Sequence, residues 1–224
     1  MQIVDTRFFP HDFPDRWKDG KAIIGISLNN QVSKSSLLLQ QLFNWTREHR
    51  GAFDLLVGDY MNRHNYQAFH AASKHDAERK AVSDGSKATV MLRKLLDECG
   101  SEPVSVISAT SLYMDATFGE RLAYFNEVYA TNKAFSDPIH EAIGAFLARK
   151  PDVIVTKDIR RHCVAYQLEE LVLFELLARD GYRSLVYAGA QLPIMKSIVC
   201  GNIDGISDLL KALNLVEIKF SRTQ

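Results

Sequence analysis

The stretch Ala22-Ile23-Ile24-Gly25-Ile26-Ser27-Leu28-Asn29-Asn30-Gln31-Val32-Ser33 opens as an apolar run and turns polar just ahead of a helical pattern. Three isoleucines at strand length, with no alternation, describe a strand buried on both faces, as in a mostly parallel sheet. Ser27 then falls at that strand's carboxyl end. In open α/β sheets this edge is where ligands bind, so a hydroxyl beside loop amides there is a candidate nucleophile. An ordinary turn serine satisfies the same pattern, because Ser and Asn are common turn and cap residues.

Working outward, Ser33 is expected to cap a helix to about His49, with Leu37, Leu38, Gln41, Leu42 and Trp45 at helical spacing and Gly51 at its end. Residues 53–57 read as a second buried strand. The polar cluster Gly58-Asp59-Tyr60-Met61-Asn62-Arg63-His64-Asn65 follows it, as a second place for a site or as a cap for the next helix. Residues 68–99 read as one or two helices, interrupted near Gly85. A third strand is expected over 103–108, helices over 118–150 closed by Pro151, and a fourth strand over 152–155. Asp158 is expected to cap a helix to about Ala178, and 183–186 to form a fifth strand ending in Tyr187. Beyond Pro193 come a helix near 206–213 and a last strand near 215–220. The segment through Gly20, with Pro10 and Pro14, reads as irregular cover. Strand and helix alternate throughout, which predicts an α/β three-layer sandwich: a Rossmann-like, mostly parallel sheet flanked by helices, one domain over residues 1–224.

Composition bounds what such a chain does. At 224 residues and 46% hydrophobic it can bury one sizeable core. Lys plus Arg and Asp plus Glu number 27 each, so no global field argues for nucleic acid, DNA included, or for a membrane, and any basic surface is local. Cys99, Cys163 and Cys200 are odd in number and lack paired metal-ligand spacing, which suits reduced thiols in the core. No run is long enough for a membrane span, and the first residues lack a signal peptide's pattern, so a cytoplasmic protein is expected.

Two further groups stand out. Tyr166 and Glu170 are four apart, so on a helix they share one face, which Leu173 and Leu177 continue. A carboxylate on an inward stripe demands a cationic partner; at the stripe's edge it simply reaches solvent. Lys74, Arg79, Lys80, Lys87, Arg93 and Lys94 form a basic series diluted by Asp76, Glu78, Asp84, Asp97 and Glu98, and a solvated helix face accounts for it as read.

Gly25-Ile26-Ser27 with Asn30, Tyr166 with Glu170, and Leu185-Val186-Tyr187 followed by Pro193-Ile194 together resemble the cyclodipeptide synthases, which make cyclic dipeptides from two aminoacyl-tRNAs. The resemblance covers nearly the whole chain in element order. It implies a fold similar to the catalytic domain of class I aminoacyl-tRNA synthetases, although neither HIGH nor KMSKS occurs here. It implies that Ser27 takes the first aminoacyl group, that Tyr166 and Glu170 hold the substrate's α-ammonium, that Tyr187 assists proton transfer, and that Asn30 orients the pocket. Ile23, Gly25, Leu56 and Leu185 would wall an apolar first pocket. Arg149 and Lys150 would lie near the second, favouring a polar or acidic residue there. It also turns Lys80, Lys87, Arg93 and Lys94 into candidates for the tRNA backbone. No cofactor or metal is implied, and a monomer is expected. Ala188 departs from the Gln or Pro that members usually carry after the tyrosine.

Two other classes fit parts of the sequence. A serine hydrolase could draw on His64 or His162, but Ser27 lies in no G-x-S-x-G elbow. A non-catalytic nucleotide- or tRNA-binding module would leave Ser27 idle, and G-x-G-x-x-G is absent.

Overall fold

The computed structural model describes residues 2–10, 20–100 and 103–221. Its elements in order are β1 (Ile3–Phe9), β2 (Lys21–Ser27), α1 (Ser36–Arg50), β3 (Phe53–Gly58), α2 (Arg63–His70), α3 (Lys74–Glu98), β4 (Val106–Ser108), α4 (Ala109–Tyr113), α5 (Phe118–Thr131), α6 (Lys133–Ala148), α7 (Lys157–Arg179), β5 (Tyr182–Ala188), α8 (Pro193–Val199), α9 (Asp208–Lys211) and β6 (Asn214–Phe220). The six strands form one sheet in the order β1-β6-β5-β2-β3-β4. Every pairing is parallel except that of β1 with β6.

This order places a switch at the centre of the sheet. The chain steps from β2 to β3 and β4 in one direction, then returns to lay β5 and β6 on the other side of β2. Connections therefore diverge from the carboxyl ends of β2 and β5, leaving the crevice where open α/β sheets bind ligands. Ser27 ends β2, and Tyr187 is the next-to-last residue of β5.

The sheet is covered on both faces, which explains the unalternating strands. Ile24 and Ile26 pack with Leu39, Leu42 and Phe43 of α1 and Leu92, Leu95 and Leu96 of α3. Ile23, Leu56 and Leu185 pack on the opposite face, with α5, α6 and α7. Each fully buried aliphatic side chain contributes roughly 1.5–3 kcal/mol, so a one-residue register slip, which would exchange the two faces, is strongly disfavoured. Within α7, residues 167–169 and 171–178 are buried. This helix lies inside the helical layer, and Glu169 is buried with it while Glu170 is half-buried.

Several expectations are corrected. The segment before Gly20 is not all irregular: Ile3–Phe9 is an edge strand antiparallel to β6, and its β-prone residues cover what would otherwise be an open sheet edge. Pro14, with the rest of 11–19, lies outside the described residues. Residues 152–155 form no strand. Val153 packs on the core but Ile154 is 87% exposed, and none of the six strands of the sheet is formed by this segment. Ser35, not Ser33, caps α1, after a 3-10 turn over Val32–Lys34. Thr156, not Asp158, caps α7. The final helix shrinks to Asp208–Lys211.

Helix α3 runs unbroken through Gly85. A Cβ at Gly85 would lie 2.2 Å from the Asp59 Cβ, so this glycine marks a close approach of α3 to the end of β3. Asp59 itself is buried, accepts from the Tyr60 and Thr110 amides and the Thr110 hydroxyl, and is hydrogen-bonded by Ser108. It ties together the tips of β3 and β4.

Candidate active site

Ser27, Asn30 and Tyr187 meet at the switch point. Gly25 is in register with Tyr187 on one side and Leu56 on the other. A Cβ at Gly25 would lie 3.4 Å from the Tyr187 ring, in van der Waals contact, so the ring lies beside this point of β2. After Ser27 the chain turns sharply, with the Asn30 amide donating to the Ser27 carbonyl (3.1 Å). That turn aims the Asn30 side chain at β5: its Nδ2 donates to the Ala188 carbonyl (2.6 Å) and lies 3.3 Å from the Tyr187 hydroxyl, while its Oδ1 accepts from the Val32 amide. Asn30 thus fastens the two strand ends together. Burial pushes the Tyr187 phenol up, and the Glu170 carboxylate adds to this against hydrogen bonds from Asn30 and Ser27. The phenol therefore stays protonated at neutral pH and offers its O–H as a hydrogen-bond donor.

Helix α7 supplies the opposite wall. Tyr166 feels both Glu170 and Tyr187, and burial is the main reason its phenol is raised far above the usual range. Burial also pushes the Glu170 carboxyl up to about 8. Among the described residues no hydrogen bond or ion pair reaches that carboxyl, so the cation its burial demands is not supplied by the protein. Ile23, Leu56 and Leu185, all nearly inaccessible, form the apolar floor in the core layer on which Tyr166 packs.

The preceding residue has the opposite fate. Successive helix residues point about 100° apart, so Glu169 faces α2 instead. Its carboxylate is bonded by Arg63 (2.5 Å) and the Tyr113 hydroxyl (2.6 Å), and the His64 Nε2 lies 3.0 Å away. Burial alone would raise Glu169, but His64, Arg63 and Tyr113 together hold it below the ordinary carboxylate range. The Arg63 guanidinium lies 4.1 Å from the Tyr60 ring centroid and 5.2 Å from that of Tyr113. This buried pair locks α7 against α2 and so fixes the direction of Glu170. Sequence reasoning singled out Arg63 only as a member of a polar cluster, and His64 as a member of it and a possible hydrolase histidine; the signal for their role was the doublet Glu169-Glu170.

The two histidines open to a hydrolase are used elsewhere. His64 sits against Glu169, and its Nδ1 lies 3.4 Å from the His162 Nδ1. Among the described residues no histidine bonds Ser27, and no group of three or more His, Cys, Asp or Glu could hold a metal ion.

Other candidates are more peripheral. Arg149, at the C-terminal end of α6, is exposed, and its positive charge acts weakly against the rise of the Tyr187 phenol. The Lys150 ammonium lies over the rings of Phe69 (4.7 Å) and Phe146 (5.2 Å). Lys80, Lys87, Arg93 and Lys94 all lie on α3. Lys80 and Lys87 pair with Asp84 (3.2 and 3.6 Å) and Lys94 with Glu98 (3.8 Å); among the described residues Arg93 forms no ion pair. Ala188 is buried and offers the site only its carbonyl. Nearby, Gln191 is spent on the sheet: its Nε2 donates to the Leu185 and Val216 carbonyls and its amide to buried Glu217, which also pairs with Lys196.

The six-stranded, mostly parallel sheet flanked by helices has the fold of class I aminoacyl-tRNA synthetase catalytic domains. The tyrosyl-tRNA synthetase of Archaeoglobus fulgidus, solved with L-tyrosine, superposes with a TM-score of 0.57 at 10% identity, over 93% of this chain and 57% of that one. The cyclodipeptide synthase family model matches residues 16–177, and the chain belongs to that family. A cyclodipeptide synthase structure from Fluoribacter dumoffii aligns with a TM-score of 0.80 at 19% identity, over 97% of this chain and 98% of that one. The enzyme from Candidatus Glomeribacter gigasporarum, bound to Phe-tRNAPhe, aligns with a TM-score of 0.64 at 22% identity, over 91% and 88%. No curated protein sequence matches. Among the described residues no helix is long and apolar enough to cross a membrane.

Proposed function

We propose that this cyclodipeptide synthase joins two aminoacyl groups, each delivered by a tRNA, into a cyclic dipeptide, with Ser27 carrying both covalent intermediates. The observation that carries the reading is a carboxyl without a protein partner, that of Glu170, facing a serine, an asparagine and a phenol at the switch point. An α-ammonium is the cation of the right size and charge for Glu170 and the Tyr166 hydroxyl together.

In the first step the Ser27 hydroxyl attacks the carbonyl carbon of the aminoacyl ester. The bond to the terminal ribose oxygen breaks, the serine proton ends on that oxygen, and uncharged tRNA leaves. The α-ammonium of the bound residue must then lose a proton to become a nucleophile. Glu170, the carboxyl beside it, is the group placed to accept that proton. The freed amine attacks the ester carbonyl of the second aminoacyl-tRNA, the bond to its ribose oxygen breaks, that oxygen takes the amine's proton as the second uncharged tRNA leaves, and a dipeptide remains on Ser27. The dipeptide's own amine then attacks the Ser27 ester and closes the ring, and the serine oxygen recovers its proton through the Tyr187 hydroxyl.

Each step exchanges one activated ester for another bond, so the reaction needs positioning rather than ATP. The apolar floor of Ile23, Leu56 and Leu185 fits an apolar first residue, and Arg149, at the C-terminal end of α6, fits a polar or acidic second one. The tRNA bound to the G. gigasporarum relative supports the substrate class, and Lys80, Lys87, Arg93 and Lys94 would meet its phosphates. Mass spectrometry of medium from cells expressing the protein tests the function and identifies both side chains. A cyclic dipeptide absent from cells expressing Ser27→Ala is the expected result.

A further inference from the structure

A cavity of about 350 Å3 lies on the other side of the Ser27 loop from the site just described. One wall is Ile26, Leu28 and Asn29, the residues flanking Ser27. The other is Tyr66 of α2 with Asp84, Ala88 and Met91 of α3, and Lys34, ahead of α1, also lines it. Ile26 belongs to the core layer of α1 and α3, whereas Ile23 and Leu185 belong to the layer of α7. The cavity therefore cannot hold the amino acid over Ser27, yet it begins one residue away from the nucleophile.

Its lining fits a nucleotide. Ile26, Ala88 and Met91 give apolar surface for a flat ring. The Asp84 carboxylate accepts from the Tyr66 hydroxyl (2.5 Å) and is thereby aimed; a carboxylate so placed accepts from the exocyclic amine of cytosine or adenine. Lys34 has no ion-pair partner among the described residues and is available to a phosphate. Lys80 and Lys87 hold Asp84 from the outer side, two cations against one anion, so the rim is locally positive on a neutral protein. At this volume the cavity lies at the lower end of the range of small-ligand pockets and takes a single base rather than a stack.

We propose that this cavity seats one base of the unpaired 3′ strand of the aminoacyl-tRNA, the strand that runs from the paired stem to the acylated ribose over Ser27. The proposal rests on the aminoacyl-tRNA reading above. A base held here would clamp the strand between α3 and the Ser27 loop and so fix where the ester carbonyl falls.

The test uses the full chain and tRNA charged with an amino acid found in the product, with an abasic ribose introduced singly at each of the last three positions. Base stacking and pairing in such a pocket correspond to a loss of about ten- to a hundredfold per base removed. One of the three substrates should show that loss in kcat/KM for labelled aminoacyl-enzyme formation, and the other two much less. Ala88→Phe, which fills the cavity, should lose about as much with intact tRNA and nothing further with the sensitive abasic substrate, while its thermal unfolding stays near wild type. A flat abasic scan on wild type overturns the proposal whether or not Ala88→Phe folds, and so does a full abasic loss persisting in a folded Ala88→Phe. If intact charged tRNA labels wild type normally while the scan is flat, only the cavity assignment fails. If intact charged tRNA does not label wild type at all, the aminoacyl-tRNA reading fails and takes this one with it.

Discussion

Replacing Glu170 with Gln should make the protein more stable and less active at once. In the folded protein Glu170 is half-buried and, among the described residues, its carboxyl has no hydrogen-bond partner; desolvation pushes it to about 8 from an ordinary 4.5. Between those values the folded state keeps a proton that the unfolded state has released, so stability falls as pH rises through this window. At pH 7 the gap spans about 2.5 pH units; at about 1.36 kcal/mol per unit this is about 3 kcal/mol, which solvent reaching the cleft lowers to about 1–3 kcal/mol. Glutamine carries no such cost and nearly keeps the shape. Urea unfolding from pH 5 to 9 should show wild type and variant converging at the acid end and separating as pH rises, with the variant ahead. In the same variant the α-ammonium loses a charge-assisted hydrogen bond of roughly 1.5–3 kcal/mol, so cyclic dipeptide formation should fall about ten- to a hundredfold. Equal stability across the whole range would refute the desolvated, unpartnered carboxylate. Full activity in the variant would refute its role in holding the ammonium.

The neighbouring pair should behave in the opposite way. Arg63→Ala leaves Glu169 buried beside His64 and Tyr113 with its guanidinium partner gone, and should cost about 3–5 kcal/mol in urea unfolding. Because Glu169 is held below the ordinary carboxylate range, its contribution in wild type is present above that range and is lost as pH falls through it. Gly85→Ala should destabilise by about 1–3 kcal/mol despite the better helix propensity of alanine, because the new methyl would meet Asp59; a thermal melt reads this directly. Arg93→Glu with Lys94→Glu should weaken tRNA binding and reduce the slope of log K against log salt by about one for each phosphate no longer neutralised, with thermal stability unchanged. A binding titration at several salt concentrations checks it.

The parallel sheet was legible because burial on both faces leaves a plain trace: strands without alternation, such as 22–26 and 53–57, each ending in polar residues. The edge strand Ile3–Phe9 left a weaker one, since a strand with one exposed edge shares its residues with ordinary loops. Residues 152–155 carried the same β-prone composition with no strand to pair with, and composition cannot report a missing partner. The candidate site was legible in its placement, where a hydroxyl met a strand's carboxyl end at Ser27 and where helical spacing put Tyr166 and Glu170 on one face. What the sequence could not divide was the doublet Glu169-Glu170. One carboxylate is locked to Arg63 and the other lacks a partner, and only the packing of α7 against α2 decides which is which. Gly85 misled in the same way: a residue that reads as a helix break is there because another side chain comes too close for a methyl group.

The central claim is that Ser27 carries the aminoacyl group, and intact-protein mass spectrometry tests it most directly. Wild type mixed with charged tRNA and stopped within seconds should gain the mass of one aminoacyl residue, mapping by proteolysis to the peptide that contains Ser27 and lost on mild alkaline hydrolysis. Ser27→Ala should gain nothing while melting at the wild-type temperature. The same mass gain on Ser27→Ala, or a cyclic dipeptide formed by that variant at the wild-type rate, would contradict the account.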